Sequence, residues 1–172
     1  MEQETLLLNS GPLAGPQVIQ VARGKLRVEI SEHSVKLMAN AREIVEEALH
    51  ANSPTYGINT GFGALSTTSI SHDKLSHLQM NIIRSHAAGV GEPLESEVVR
   101  GMMLLLTASL SRGHSGTRPI VAQTIAEMLN ANVTPIIPSR GSVGASGDLA
   151  PLAHLALVLC GEGKAKDKKC GG

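Results

Sequence analysis

Apolar residues recur at helical spacing through much of the chain. Ser31 is a residue type that favours helix N-caps, and the apolar positions after it follow a 3.6-residue period, which predicts a helix ending near Asn52. The apolar positions of this helix are Val35, Met38, Val45 and Leu49.

The same period predicts further helices after Ser71, over residues 95–112 and over residues 119–130. Pro119 suits the first helical position because its missing N–H costs nothing there, and Gly113 suits the position that follows a helix. Residues 102–106 are apolar on nearly all sides, so we expect this helix to be largely buried or to pack against a partner chain.

Two short apolar segments near the N-terminus predict strands instead. Residues 18–21 and 26–30 flank Arg23-Gly24-Lys25, a sequence that suits a turn, so we expect a small β-hairpin. Residues 133–137 are expected to be extended. The fold class predicted from these patterns is mainly α with a minor β contribution.

Two uncharged, glycine-rich segments interrupt the helical pattern. Residues 51–72 contain no Asp, Glu, Lys or Arg and include both aromatic residues, Tyr56 and Phe62. Residues 141–147 read Gly-Ser-Val-Gly-Ala-Ser-Gly and lead into a predicted helix that extends to Cys160. Uncharged glycine-rich loops indicate backbone that packs closely against a ligand or another chain.

Composition and charge exclude several classes of protein. The 172 residues fit one domain, and their 42% hydrophobic content is too high for a disordered chain. The 15 basic and 15 acidic residues balance, which disfavours nucleic-acid and anionic-membrane partners. The acidic start does not resemble a secretory signal, and no apolar run approaches the ~20 residues of a membrane span. We therefore expect a cytoplasmic protein.

Common cofactor motifs are also missing from the sequence. The glycine spacings match neither GxGxxG nor a P-loop, so a nucleotide site is not expected. Lys74 is the only lysine between residues 51 and 163, which disfavours a pyridoxal Schiff base. Cys160 and Cys170 lack metal-ligand spacing, so we expect no metal and free thiols. The local pattern around Ser146 leaves a helix-capping serine as an open alternative to a chemical role.

Residues 141–152 resemble the signature of the aromatic amino acid ammonia-lyase family. Residues 56–63 (Tyr-Gly-Ile-Asn-Thr-Gly-Phe-Gly) are similar to the tyrosine loop of that family, and residues 85–91 are similar to its substrate-selectivity helix in the histidine-type form. Gln79 and residues 112–116 and 161–164 also match in register, so the resemblance covers residues 11–165.

The resemblance implies the fold and the domain limits. It implies the N-terminal portion of the fumarase/aspartase-like (L-aspartase-like) helical fold. Residues 1–165 would form a lyase domain that is incomplete relative to the family, and residues 166–172 would be a polar tail unlike family sequence. The remainder of a family member carries the groups that hold the substrate carboxylate and amine.

The resemblance also implies a prosthetic group and catalytic roles. The Gly147 amide nitrogen would attack the carbonyl carbon of Ala145, and loss of two waters, one of them carrying the Ser146 hydroxyl oxygen, would leave 4-methylidene-imidazole-5-one. Glycine offers an unhindered nitrogen for this closure. Tyr56 would act as catalytic acid/base, and His86 would face the substrate side chain. The implied reaction is elimination of ammonia from L-histidine to give trans-urocanate.

Several alternatives remain open at the level of sequence. Tyr56 can be a packing aromatic, and His86 can be a helix residue satisfied by its own backbone. The chain can be a catalytically silent helical module that assembles through residues 102–106, or part of a related lyase or aminomutase with another substrate. Family members are homo-oligomers (tetramers), and a complementing C-terminal chain is a second possible partner.

Overall fold

Helices form most of the fold. We analysed a computed structural model, which describes residues 3–50, 55, 58, 60, 72–141 and 147–167, with backbone alone at residues 72–76. Its helices are α1 (Gly15–Ala22), α2 (Glu32–His50), α3 (His72–His86), α4 (Ser96–Leu110), α5 (Pro119–Asn130) and α6 (Leu149–Leu159). Its strands are β1 (Thr5–Leu8), β2 (Arg27–Ile30), β3 (Val90–Pro93), β4 (Val133–Pro135), β5 (Pro138–Arg140) and β6 (Ala165–Asp167). The predicted mainly α fold is confirmed.

The predicted helix boundaries follow from local chemistry. Ser31 Oγ accepts the N–H of Ser34 at 3.1 Å, so it caps α2 as expected. Pro119 is the first residue of α5. Gly113 follows α4 with φ of +72°, and a Cβ there would lie 2.6 Å from the backbone carbon of Leu37. Glycine at this position therefore satisfies both the backbone angle and the close approach of α2.

The predicted N-terminal β-hairpin is wrong. Residues 18–21 lie in α1, where Gln17 Oε1 accepts the Ala14 N–H at 2.9 Å and Pro16 occupies the first turn. Strand β2 pairs instead with β1, in parallel, with Leu6 opposite Val28. The segment 18–21 is apolar at positions three apart and buries Val21, so tertiary packing favours the helix over a strand.

A side chain completes the free edge of this two-stranded sheet. The Asn130 side chain, at the end of α5, accepts the Val28 N–H at 2.8 Å and donates to the Val28 carbonyl at 2.9 Å. The remaining pairs are antiparallel: β3 with β5, and β4 with β6. Because β6 runs to Asp167, a strand crosses the domain limit expected at residue 165, and that limit stays a prediction.

Helix α4 lies at the centre of the core. Its Met103 and Leu104 are fully buried with Ile125 and Leu129 of α5. Leu105 on the same helix is 53% exposed. The expectation for residues 102–106 is thus met on the buried face, and a partner for the exposed face stays a prediction.

A buried arginine joins α4 to two helix ends. Arg100 is only 6% exposed. Its guanidinium donates to the carbonyls of Ala22 at 2.9 Å, Val21 at 3.0 Å and Leu129 at 3.1 Å. Burial lowers the pKa of Arg100 from its usual value. These carbonyls lie in the last turns of α1 and α5, where a cation is favoured by the helix dipoles.

We predict that Arg100→Met lowers the free energy of unfolding by about 2–4 kcal/mol, because buried carbonyls would lose their hydrogen bonds. Urea denaturation followed by circular dichroism measures the change. Arg27→Met alters an exposed arginine on β2 and should be nearly neutral. Equal stability of the two variants would contradict the role assigned to Arg100.

Candidate functional site

A largely apolar groove lies between α3 and α6. Its volume is about 490 Å³, and it is lined by His86 together with apolar side chains of both helices. These apolar residues include Ile82, Ile83, Leu149, Leu152 and Ala153. A groove with apolar walls and one polar side chain suits a small molecule that combines a flat ring with a hydrogen-bonding atom.

His86 ends α3 and presents the polar atom of this groove. Its Nδ1 lies 2.7 Å from the carbonyl oxygen of Ile82, and because a carbonyl only accepts, Nδ1 carries the proton. Ser85 Oγ donates to the same carbonyl at 2.9 Å. The helix backbone therefore satisfies Nδ1, and Nε2 of the neutral ring remains the atom that can accept a hydrogen bond from a ligand.

Gly147 lies just before α6. It is exposed, and a Cβ added to it would meet Leu149, among the described residues beyond its chain neighbours, at an ordinary contact distance of 3.6 Å. Asp148 follows at the N-cap without a side-chain hydrogen bond to the first turn of α6. The space around Gly147 and the positive end of the helix are both compatible with a group that carries negative charge.

Only part of the predicted site lies in the described residues. Tyr56, Ala145 and Ser146 fall outside them, so their roles and their distances from His86 stay predictions. The groove joins His86 to Leu149, two residues after Gly147. Among the described residues, no three His, Cys, Asp or Glu side chains come together as a metal site would require.

Three backbone segments meet beside the groove at Gly89, Gly141 and the first turns of α6. The Gly89 N–H donates to His154 Nε2 at 3.1 Å. A Cβ at Gly89 would lie 2.9 Å from the same nitrogen, and a Cβ at Gly141 would lie 2.8 Å from Ala150 Cβ and 3.4 Å from Gly89 Cα. At Gly141 the backbone thus packs closely against residues of the same chain, and the expected contact of the second glycine-rich segment with a ligand or another chain stays a prediction.

An ion pair also joins α3 to the end of α6. Arg84 Nε lies 2.8 Å from Glu162 Oε2, and Arg84 Nη2 lies 2.5 Å from Glu162 Oε1. Each partner stabilises the charged form of the other, so the pKa of Arg84 is raised and that of Glu162 is lowered. Both side chains are exposed, so we assign the pair to orientation of α3 rather than to stability.

Sequence reasoning missed Arg100, His154 and the Arg84–Glu162 pair. A usable signal exists for the first two, because His154 is the lone ionisable residue of the apolar helix α6 and Arg100 directly precedes the long apolar segment of α4. Such a residue must find buried partners on folding. The ion pair joins residues 78 positions apart, and nothing local in the sequence indicates it.

The sequence matches those of known lyases. The family model for aromatic amino acid lyases matches residues 13–171, and the chain therefore belongs to that family. It is 48% identical over 162 residues to the histidine ammonia-lyase of Streptomyces avermitilis, which covers 94% of this chain and 32% of that relative. Identity to the histidine ammonia-lyase of Deinococcus radiodurans is 52% over 147 residues, covering 86% and 28%.

Solved structures give the same result. Histidine ammonia-lyase from Trypanosoma cruzi superposes with a TM-score of 0.86 at 37% identity, covering 96% of this chain and 31% of that one. Tyrosine aminomutase from Streptomyces globisporus superposes with 0.87 at 34% identity, covering 95% and 31%. The chain thus spans about a third of the length of the relatives it matches. No helix in the described part is long and apolar enough to cross a membrane.

We predict that His154 makes the stability of the chain depend on pH. Burial lowers its pKa below the ordinary 6.5, so the unfolded chain binds the proton more readily. The free energy of unfolding should therefore fall as the pH drops from about 7 to about 5. Urea denaturation across this range should show a smaller decline for His154→Gln than for the wild type.

His33→Gln is the matched control, because His33 is exposed on α2. It should retain the pH dependence of the wild type. A His154→Gln variant with an unchanged pH dependence would show that His154 is not the group responsible.

Proposed function

We propose that this chain is the part of a carbon–nitrogen lyase that eliminates ammonia from L-histidine to give trans-urocanate. The observation that carries the proposal is the groove in which His86 offers one hydrogen-bond acceptor among apolar walls at the start of α6. Membership of the aromatic amino acid lyase family and similarity to histidine ammonia-lyases support it.

The groove accounts for a preference for imidazole. An imidazole N–H can donate to Nε2 of His86, whereas a phenyl ring leaves that nitrogen without a partner, which costs binding free energy. Ile82, Ile83 and Leu149 supply apolar surface for the flat faces of the ring. His86 is thus a substrate-binding residue in this proposal.

The proposal includes a 4-methylidene-imidazole-5-one formed from Ala145, Ser146 and Gly147. When formed, this group is an electrophile that draws electrons from the substrate and so assists proton loss and departure of ammonia. Gly147 fits such a group because a glycine nitrogen is unhindered and Leu149, a described neighbour, lies at an ordinary contact distance of 3.6 Å from its Cβ position. The first turn of α6 would stabilise negative charge beside it. Tyr56 would hold the proton exchanged with the substrate.

The chain is proposed to act with further polypeptide. It spans about a third of its relatives, so the groups that bind the substrate carboxylate and amine would come from the rest of a longer protein, a complementing chain or another subunit. Apolar side chains lie exposed around a second groove on α1, α4 and α6: Ile19, Val98, Leu105 and Leu152. We assign this surface to such a contact, and the assembly to the cytoplasm.

An aminomutase is the second candidate reaction. Its support is the structural similarity to the tyrosine aminomutase of Streptomyces globisporus. Both reactions begin with release of ammonia, and an aminomutase then adds ammonia back to the neighbouring carbon. Product analysis distinguishes them, because only the lyase accumulates free ammonia with an equal amount of urocanate.

We predict that folded chain carrying the prosthetic group has an intact mass lower than its sequence by two water molecules. Ser146→Ala should lose at least one water fewer, because it lacks the hydroxyl that leaves as one of the two waters. Mass spectrometry of both proteins, after circular dichroism has shown that they are folded, makes the comparison. An unmodified mass for the folded wild type would count against the prosthetic group in this chain.

We predict that His86→Leu lowers kcat/KM for L-histidine by about tenfold or more and shifts preference toward L-phenylalanine. A chimaera in which residues 1–165 replace the matching third of the Streptomyces avermitilis enzyme provides the complete protein for the assay. His77→Leu, at an exposed position on the same helix, is the control and should leave the preference unchanged. An unaltered preference in the His86 variant would refute its binding role.

We predict that the isolated chain self-associates and has no appreciable lyase activity. Its exposed apolar surface favours association, and a substrate held even ~1 Å out of place can lose about 10²-fold in rate. Sedimentation together with the ultraviolet absorbance of urocanate tests both parts. A monomer that converts histidine at an enzyme-like rate would overturn this prediction.

A further inference from the structure

The two described residues assigned to the site are connected through one small packing contact. His86 lies three residues before Gly89, and Gly147 lies three residues before Ala150. Gly89 and Ala150 both face Gly141, within 3.4 Å and 2.8 Å of the Cβ position of that glycine. A shift of the segment after α3 would therefore displace both His86 and Gly147.

His154 holds this contact by a single hydrogen bond. Its Nε2 accepts the Gly89 N–H at 3.1 Å, which requires a lone pair on Nε2 and thus a neutral ring with the proton on Nδ1. Protonation would turn Nε2 into a donor facing another donor. The hydrogen bond exists in only one of the two charge states of the imidazole.

Burial is the cause of the lowered pKa of His154. The elements packed most closely against α6 are α3, α5 and β4. The described titratable side chains on these elements are His77, Arg84 and His86 of α3 and Glu127 of α5. The adjoining strands and loop add Glu92 of β3, Arg140 of β5 and Glu162, which follows α6. Arg84 and Glu162 are paired with each other.

We propose that His154 is a positioning residue for the site: its neutral imidazole fixes the Gly89 backbone and thereby the placement of His86 relative to the start of α6. The effect of this positioning on catalysis rests on the proposed function. The hydrogen bond itself is a property of the chain and can be tested without activity.

The test is nuclear magnetic resonance of the labelled 172-residue chain at about pH 7.5 and about pH 5. Two readouts are followed: the hydrogen-exchange protection of the Gly89 amide and the ring signals of His86. His154→Gln offers an amide oxygen near the position of Nε2 and does not titrate. His154→Leu offers no acceptor.

We expect the wild type to protect Gly89 at the higher pH and to lose about tenfold of that protection at the lower pH. The Gly89 amide should be protected at both pH values in His154→Gln and at neither pH value in His154→Leu. At the higher pH the His86 ring signals of His154→Leu should differ from those of the wild type and those of His154→Gln should match it, while the ring signals of exposed His77 should be the same in all three proteins. The Leu104 amide, in the buried core of α4, reports whether a variant remains folded.

Gly141→Ala disturbs the same contact without touching His154, since its Cβ would lie 2.8 Å from Ala150 Cβ. It should move the His86 signals, and Gly15→Ala, with nothing within 4 Å of the added Cβ, should not. His86 signals and Gly89 protection in folded His154→Leu that equal those of the wild type would overturn the proposal. The same result for His154→Gln as for His154→Leu would overturn it too.

The chimaera then separates this inference from the proposed function. A drop in kcat/KM for histidine in His154→Leu, restored in His154→Gln, supports both. If the 172-residue chain gives the expected nuclear magnetic resonance results but the chimaera releases no ammonia from histidine, the positioning role stands and the lyase assignment is refuted.

Discussion

The arrangement of the core depends on the burial of one positive charge. The Arg100 guanidinium loses its hydrogen bonds to water on folding. It donates instead to backbone carbonyls at the ends of α1 and α5. A buried guanidinium without such partners would be strongly destabilising. The last turns of α1 and α5 are therefore tied to α4, and β2 and β4 follow these two helix ends along the chain. Met103 and Leu104 of the same helix pack in the apolar core.

The site uses a different kind of constraint, which is the close approach of backbones. Gly89 and Gly141 allow the exits of α3 and β5 to lie against the first turns of α6, where any larger residue would collide. The Arg84–Glu162 pair holds α3 near the other end of α6. Fixed helices thus bound the groove. Its walls contribute apolar surface, and His86 contributes the hydrogen-bond acceptor that orients a ligand.

Local rules in the sequence predicted much of this architecture, and contacts between distant residues explain what they missed. The caps at Ser31, Gly113 and Pro119 and the periods of α2 to α5 suffice to place those helices. Residues 18–21 were assigned to a strand because a short apolar run suits either state, and the pairing of β2 with β1 decided the outcome. For the site, the roles of His86 and Gly147 rest on family resemblance and stay predictions. The hydrogen bond from Gly89 to His154 joins residues 65 apart and has no local pattern.

The Asn130 side chain has a consequence for how the molecule avoids aggregation. It bonds both polar groups of Val28 on the side of β2 opposite β1, much as the peptide group of a neighbouring strand would. A third strand cannot pair there without displacing it. An amide side chain at the end of a helix thus closes a sheet edge that could otherwise recruit a strand from a second molecule.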